Sequence, residues 1–190
     1  MLLPAVIYIV WDFYFTAKGV WSFNENYITG LKIYNLPIEE VLFFFIVPYC
    51  CVFIYECIKS YFPEIKSKHT ADVILIAVAL ILWLTGIIFY NKYYTSWTFI
   101  LNAAFITVIY LNKNYFKTFD ATTFLVSYCI MLIPFLIVNG FLTAIPVVLY
   151  NNAENLAIRI YTIPFEDTFY GMLLILMTIV IYEKLKENRT

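Results

Sequence analysis

Residues 73–90 form an unbroken run of 18 residues without a single charge, and that run limits the fold more than any other feature. A stretch of this length is read as a membrane-crossing helix. It lacks the period-two alternation of a barrel strand, and a backbone surrounded by lipid must satisfy its own hydrogen bonds, so helices are what remain. Similar segments cover residues 1–15, 36–58, 97–111, 123–142 and 164–182. With 63% hydrophobic and 13% charged residues, a soluble core of this size has no room for so much apolar surface. The reading is an all-α polytopic membrane helical bundle of six segments in one integral membrane domain, residues 1–190.

Basic residues set its orientation. Loops on one side carry Lys18, Lys32, Lys92 and Arg159. The other side carries Lys59, Lys66, Lys68, Lys113, Lys117, Lys184, Lys186 and Arg189, which predicts a cytoplasmic C-terminus. The first segment is short and has no polar lead-in. It lacks the cleavage site of a signal peptide, and the expectation is a further helix upstream of Met1. A net charge of -1 offers no field for nucleic acid. Cys50, Cys51, Cys57 and Cys129 form no CxxC pair, and His69 is the one histidine, in a polar loop. No metal site is expected. With no strands expected, no dinucleotide or flavin cofactor domain is expected either.

The chain repeats itself at an offset of 127 positions without a gap. Thr16-Ala17 fall on Thr143-Ala144, and Asn24 falls on Asn151. Ile33, Tyr34, Pro37 and Glu39 fall on Ile160, Tyr161, Pro164 and Glu166; Ile54-Tyr55-Glu56 fall on Ile181-Tyr182-Glu183. Asp12 meets Asn139, and Glu40 meets Asp167. The partner helices lie four apart, so the copies cross the membrane in the same direction, as parallel repeats. The division is repeat one over 1–58, a linker helix within 59–90, repeat two over 93–184 and a tail at 185–190. Two three-helix units joined by an extra helix would again require a helix upstream.

The chemistry concentrates in Leu36-Pro37-Ile38-Glu39-Glu40 and its copy Ile163-Pro164-Phe165-Glu166-Asp167. Proline followed by an acid is ordinary helix-start chemistry, since the acid faces the positive end of the dipole. Two copies suggest more. Four carboxylates at one depth would converge about a pseudo-two-fold axis, and ionisable groups inside a membrane are costly and functional by default. Clustered acids in a low dielectric do not all ionise, which leaves a proton donor among them. Asp12 is read either as a helix-end acid paired with Lys18 or as lining the same cavity with Asn139. Asn24 is read as orienting the carboxyls or as a turn residue. Phe43 and Phe44, one turn after the first acids, Tyr170 after the second, and Trp21 and Phe23 beside the first loop are read either as packing and interfacial-belt aromatics or as rings that stabilise a cation through their π faces. Glu56 and Glu183 read as solvated helix-end charges.

The stretch Trp11-Asp12-x3-Thr16-x2-Gly19-Val20-Trp21-x-Phe23-Asn24, with Asn35-Leu36-Pro37-Ile38-Glu39-Glu40 and the second Pro-x-Glu-acid motif, resembles the small integral-membrane lycopene cyclases. Both motifs lie on one chain, so the likeness is to the fused single-chain form. The resemblance implies a flavin-independent, redox-neutral closure of the linear ψ-ends of lycopene into β-ionone rings, with lycopene or a related polyene as substrate. It implies Glu39, Glu40, Glu166 and Asp167 as catalytic residues. Asp12, Trp21, Phe23, Asn24, Phe43, Phe44 and Tyr170 would be substrate-binding. It also implies a bacterial-type plasma membrane, and leaves room for association with other carotenoid enzymes. A small parallel-repeat transporter and a non-catalytic carotenoid-binding subunit stay open beside it. A transporter would want its acids at the midplane facing water, whereas these stand at helix entrances.

Overall fold

The computed structural model describes residues 2–65 and 68–187. Met1 and the basic residues Lys66 and Arg189 lie outside the described residues. Among the described residues six helices follow in order: α1 Leu2–Ala17, α2 Ile38–Tyr61, α3 His69–Ile88, α4 Tyr93–Leu111, α5 Ala121–Ala144 and α6 Phe165–Glu187. The last five are long and apolar enough to cross a membrane, and α1, at 16 residues, is shorter. The chain is an integral membrane helical bundle. Lipid-facing side chains such as Leu80, Ile81, Leu84 and Ile133 are well exposed, as expected where hydrocarbon is the solvent.

The expectation of no strands is corrected. Strands β1 Trp21–Phe23, β2 Lys32–Ile33 and β3 Leu36–Pro37 recur as β4 Val148–Tyr150, β5 Arg159–Ile160 and β6 Ile163–Pro164. They form three two-stranded ribbons, β1–β4, β2–β3 and β5–β6. Two or three residues are too few to print a periodicity, so hydropathy passes over them. The ribbons do settle how the repeats meet. Each strand of repeat one begins and ends 127 positions before its counterpart. In β1–β4, Ser22 pairs with Leu149, its own counterpart, while Trp21 pairs with Tyr150 and Phe23 with Val148. Such reciprocal pairing is the signature of a two-fold relation.

The same relation holds at the far end of the bundle. Lys59 Nζ meets Glu183 at 2.5 Å and Lys186 Nζ meets Glu56 at 2.9 Å, and each pair is the other shifted by one repeat. Glu183 is therefore buried and paired across the axis, which corrects its reading as a solvated helix-end charge. The motif register had shown that Tyr-Glu recurs, but not that α2 and α6 end side by side.

Hairpins β2–β3 and β5–β6 turn through Tyr34 (φ 57°) and Tyr161 (φ 59°), both left-handed. That conformation is costly for a bulky side chain. Both tyrosines point outward, 82% and 83% exposed. Helix α3 is the linker between the repeats and packs closely on α4. At Gly86 a Cβ would stand 2.8 Å from Ile100 Cγ1, so a larger residue there forces Ile100 or the helix contact itself to shift.

Candidate functional site

Each ribbon delivers an acid to the start of a helix. Ile38 N–H donates to Leu31 O at 2.9 Å, and its counterpart Phe165 N–H donates to Ile158 O at 3.0 Å. These bonds fix where α2 and α6 begin. The acids after them fall on different sides, because neighbouring helical residues are about 100° apart.

The first acid of each pair turns back to its own loop. Glu39 Oε1 accepts from Thr29 N–H and Glu166 Oε1 from Leu156 N–H, each at 2.7 Å. Glu39 is exposed. Glu166 is fully buried and also accepts from Thr95 Oγ1 at 2.6 Å, because α4 covers it. Replacing Glu166 by leucine strands two buried donors and is expected to cost about 3 kcal/mol or more. The same change at Glu39 is expected to cost about 1 kcal/mol. Thermal unfolding in detergent should show the Glu166 variant as clearly the less stable; equal midpoints would contradict these contacts.

The second acid of each pair turns inward. Glu40 and Asp167 line one cavity between α2, α5 and α6, beneath the β1–β4 ribbon. Much of its wall comes in repeat-related pairs: Glu40 with Asp167, Phe43 with Tyr170, Val47 with Leu174, Phe23 with Tyr150 and Trp21 with Val148. The cavity thus straddles the pseudo-two-fold axis. Its two acids are nevertheless equipped differently. Asp167 accepts from Tyr94 Oη at 2.6 Å, Tyr150 Oη at 2.8 Å and Asn139 Nδ2 at 3.3 Å. No described residue donates a hydrogen bond to the Glu40 carboxyl. No lysine or arginine among the described residues lines the cavity; Arg159 stacks over the Tyr150 ring, 5.6 Å from its centroid. Burial, and then the Asp167 carboxyl, push the Tyr150 phenol well above its ordinary pKa, so it stays a hydrogen-bond donor.

Aromatic rings close the remaining wall. Tyr170 sits edge-on to Tyr8, Trp11 and Trp21, with centroids 4.8, 5.0 and 5.9 Å away. Tyr94 stacks on Tyr150 at 5.9 Å and meets Trp21 edge-on at 5.1 Å. The Trp21 indole N–H donates to buried Asp12 Oδ1 at 2.5 Å, and Thr16 Oγ1 donates to the same oxygen at 3.4 Å. Asp12 therefore stands behind Trp21, not beside Lys18. Helix α4 brings Tyr94 because its first turn is held by the second loop: Glu154 Oε2 accepts from Tyr93 N–H at 3.1 Å and Glu154 O from Tyr94 N–H at 2.9 Å.

Of the residues singled out in sequence, the structure brings Glu40, Asp167, Trp21, Phe23, Phe43 and Tyr170 to the cavity wall, with Asp12 one bond behind. It keeps Glu39 and Glu166 off that wall, in the first turns of α2 and α6 with their carboxyls turned back to loop N–H groups. Asn24 accepts from Asn26 N–H at 3.1 Å in a turn, as Asn151 does from Ala153 N–H at 3.0 Å. Phe44 is fully buried against Tyr8 and Phe43. Sequence reading passed over Tyr94, Tyr150 and Phe135. Tyr150 was recoverable as the repeat counterpart of Phe23. Tyr94 lies in a polar first turn, ahead of the apolar segment at 97–111.

A family model described as Lycopene cyclase matches residues 1–58 and 91–185, leaving out the stretch between them that holds α3. Similar curated proteins include a bifunctional lycopene cyclase/phytoene synthase of Aspergillus oryzae, 27% identical over 89 residues, which is 42% of this chain and 15% of that protein. Another, from Aspergillus niger, is 26% identical over 81 residues, 40% of this chain and 14% of that protein. A third, from Pyrenophora tritici-repentis, is 44% identical over 41 residues, 22% of this chain and 7% of that protein. The matched part spans about a seventh of the length of the first two relatives. No solved structure matches the chain significantly. The family match runs through both repeats and both acidic motifs, and the chain belongs to the lycopene cyclase family.

Proposed function

We propose that the chain is a membrane-embedded lycopene β-cyclase, and the observation that carries this reading is the pair of repeat-related acids, Glu40 and Asp167, facing one aromatic-walled cavity. Their unequal hydrogen bonding suggests unequal roles. Glu40, with no donor on it, delivers a proton to the terminal double bond of a ψ-end and leaves a tertiary cation. The π electrons of the neighbouring alkene close on that cation, forming the ring bond and a new tertiary cation. Asp167, held by three donors, accepts a ring proton as the carboxylate, and the C–H electron pair becomes the ring double bond. Return of the proton from Asp167 to Glu40 resets the site. Atoms and electrons balance without an oxidant, so the reaction is an isomerisation. The rings of Trp21, Phe43 and Tyr170 offer π faces to the passing cation. Acids in the first turn of helices, inside an apolar cavity, suit this chemistry better than a transporter's midplane water path. The basic excess at the Lys59–Lys186 end supports a cytoplasmic C-terminus in a bacterial-type plasma membrane.

Expression in cells that accumulate lycopene, followed by pigment analysis, tests the reading. Conversion of lycopene to monocyclic and bicyclic carotenes is expected; lycopene left unchanged would overturn it.

A further inference from the structure

The pseudo-two-fold relation gives each cavity wall an internal control. It relates the face of α1 that packs on α2 and α6 to the face of α5 that packs on α6 and α2. The first is shut: Tyr8, Phe15, Phe44 and Leu174 are at most 2% exposed, and Trp11 is 7% exposed. At the second, the counterparts are Phe135, Leu142, Gly171, Val47 and Val138. Four of these, Phe135, Leu142, Gly171 and Val47, are half-buried and line the cavity, while Val138 is 53% exposed. Gly171 of α6 thus stands where α2 sets the buried Phe44 against α1, and the space it leaves is taken by a ring from α5: a Cβ at Gly171 would lie 3.4 Å from Phe135 Cε2. Pro48, beside Val47, and Pro134, beside Phe135, are interior prolines of α2 and α5. Each removes one helical hydrogen bond next to the α2–α5 seam, where a helix yields most easily.

The cavity volume is about 80 Å³. A cavity of about 150 Å³ is what holds one benzene, and a methylated six-membered ring is larger than benzene. A wall must therefore move before the reacting end fits, and Phe135 is a wall side chain seated on a glycine.

We infer that the linear end of an extended apolar polyene enters from within the bilayer through the α2–α5 seam, with Phe135 swinging off Gly171 to admit it. This rests on the cyclase reading for the identity of the occupant. The closed face of α1 makes the entrance one-sided, so a substrate approaches Glu40 and Asp167 from a single direction.

Two measurements on the full chain in lycopene-containing vesicles test it. Val47→Trp narrows the entrance and is expected to lower kcat/KM roughly tenfold, mainly through KM. Val10→Trp, on the exposed face of α1 away from its buried residues, is expected to change neither. Wild-type kinetics in Val47→Trp would overturn the inference. Independently of turnover, a benzophenone side chain at position 138 should photocrosslink added lycopene several times more than one at position 10. Equal adducts, or more at position 10, would overturn it even if Val47→Trp failed to fold. If the wild-type chain leaves lycopene unchanged while position 138 still captures it, the cyclase reading falls and the entrance stands.

Discussion

Glu40→Gln is expected to abolish ring formation, while Glu39→Gln leaves it nearly intact. The two residues are adjacent and both belong to the Pro-x-Glu-acid motif, yet they face different surroundings. Glu40 lines the cavity; Glu39 accepts the Thr29 N–H outside it. A glutamine at position 40 keeps the shape and removes the transferable proton. General acid catalysis contributes about 10²- to 10⁴-fold, so turnover in Glu40→Gln should fall by roughly 10³-fold. At position 39, the amide oxygen of glutamine still accepts the backbone N–H, and turnover should stay within about threefold of wild type. Both are read from carotene production per unit of folded protein in detergent or vesicles. A Glu39→Gln variant as inactive as Glu40→Gln would mean that the outward acid takes part in the reaction, and the division of labour drawn from the geometry would be wrong.

The bundle was legible in the sequence because lipid imposes a strong pattern. An apolar run of 18 residues has few alternatives, and helices α2, α3, α5 and α6 begin and end within a few residues of their hydropathy limits. The repeat was legible too, and the strands, turns and capping bonds obey its offset: left-handed Tyr34 matches Tyr161, and left-handed Gly30 matches Ala157. The inward or outward choice within each acid pair was hidden. Two adjacent helical residues differ by a rotation that depends on where the helix starts, and the β2–β3 and β5–β6 hairpins set that start. The partners of Asp167 were hidden for a related reason. Tyr94 sits in a turn without apolar periodicity, and Tyr150 in a three-residue strand that exists only through its pairing with β1. Glu183 shows the limit from the other end of the molecule. A glutamate near a helix terminus reads as solvated until its partner helix is seen to end against it.

The repeats also show what departs from symmetry, and the departures carry the chemistry. A strictly two-fold cavity would present two equivalent acids, each able to donate and neither committed to accept. Here Asn139 replaces Asp12 and Tyr150 replaces Phe23, and both changes add a donor to Asp167. Tyr94 adds a third from α4, which packs against α6. On the Glu40 side the counterparts are Asp12, which is committed to Trp21, and Phe23, which has nothing to donate.

Asp167→Asn is therefore the second substitution with a large expected effect. It keeps the size of the side chain and removes its capacity to take a proton. It also turns an –NH2 toward a nest that already holds Tyr94, Tyr150 and Asn139 as donors. Turnover should fall by roughly 10²- to 10³-fold, since the closed-ring cation would have to lose its proton to a weaker base. Tyr94→Phe and Tyr150→Phe each remove one charge-assisted bond from the same carboxylate, and each should cost about tenfold. The double tyrosine variant should fall short of the product of the single losses, because both act through one group. The same single effects combined with Asp167→Asn should add little. If the tyrosine variants instead lowered activity equally with and without Asp167, their phenols would be acting directly on the substrate cation, and the base would have to be sought elsewhere in the cavity.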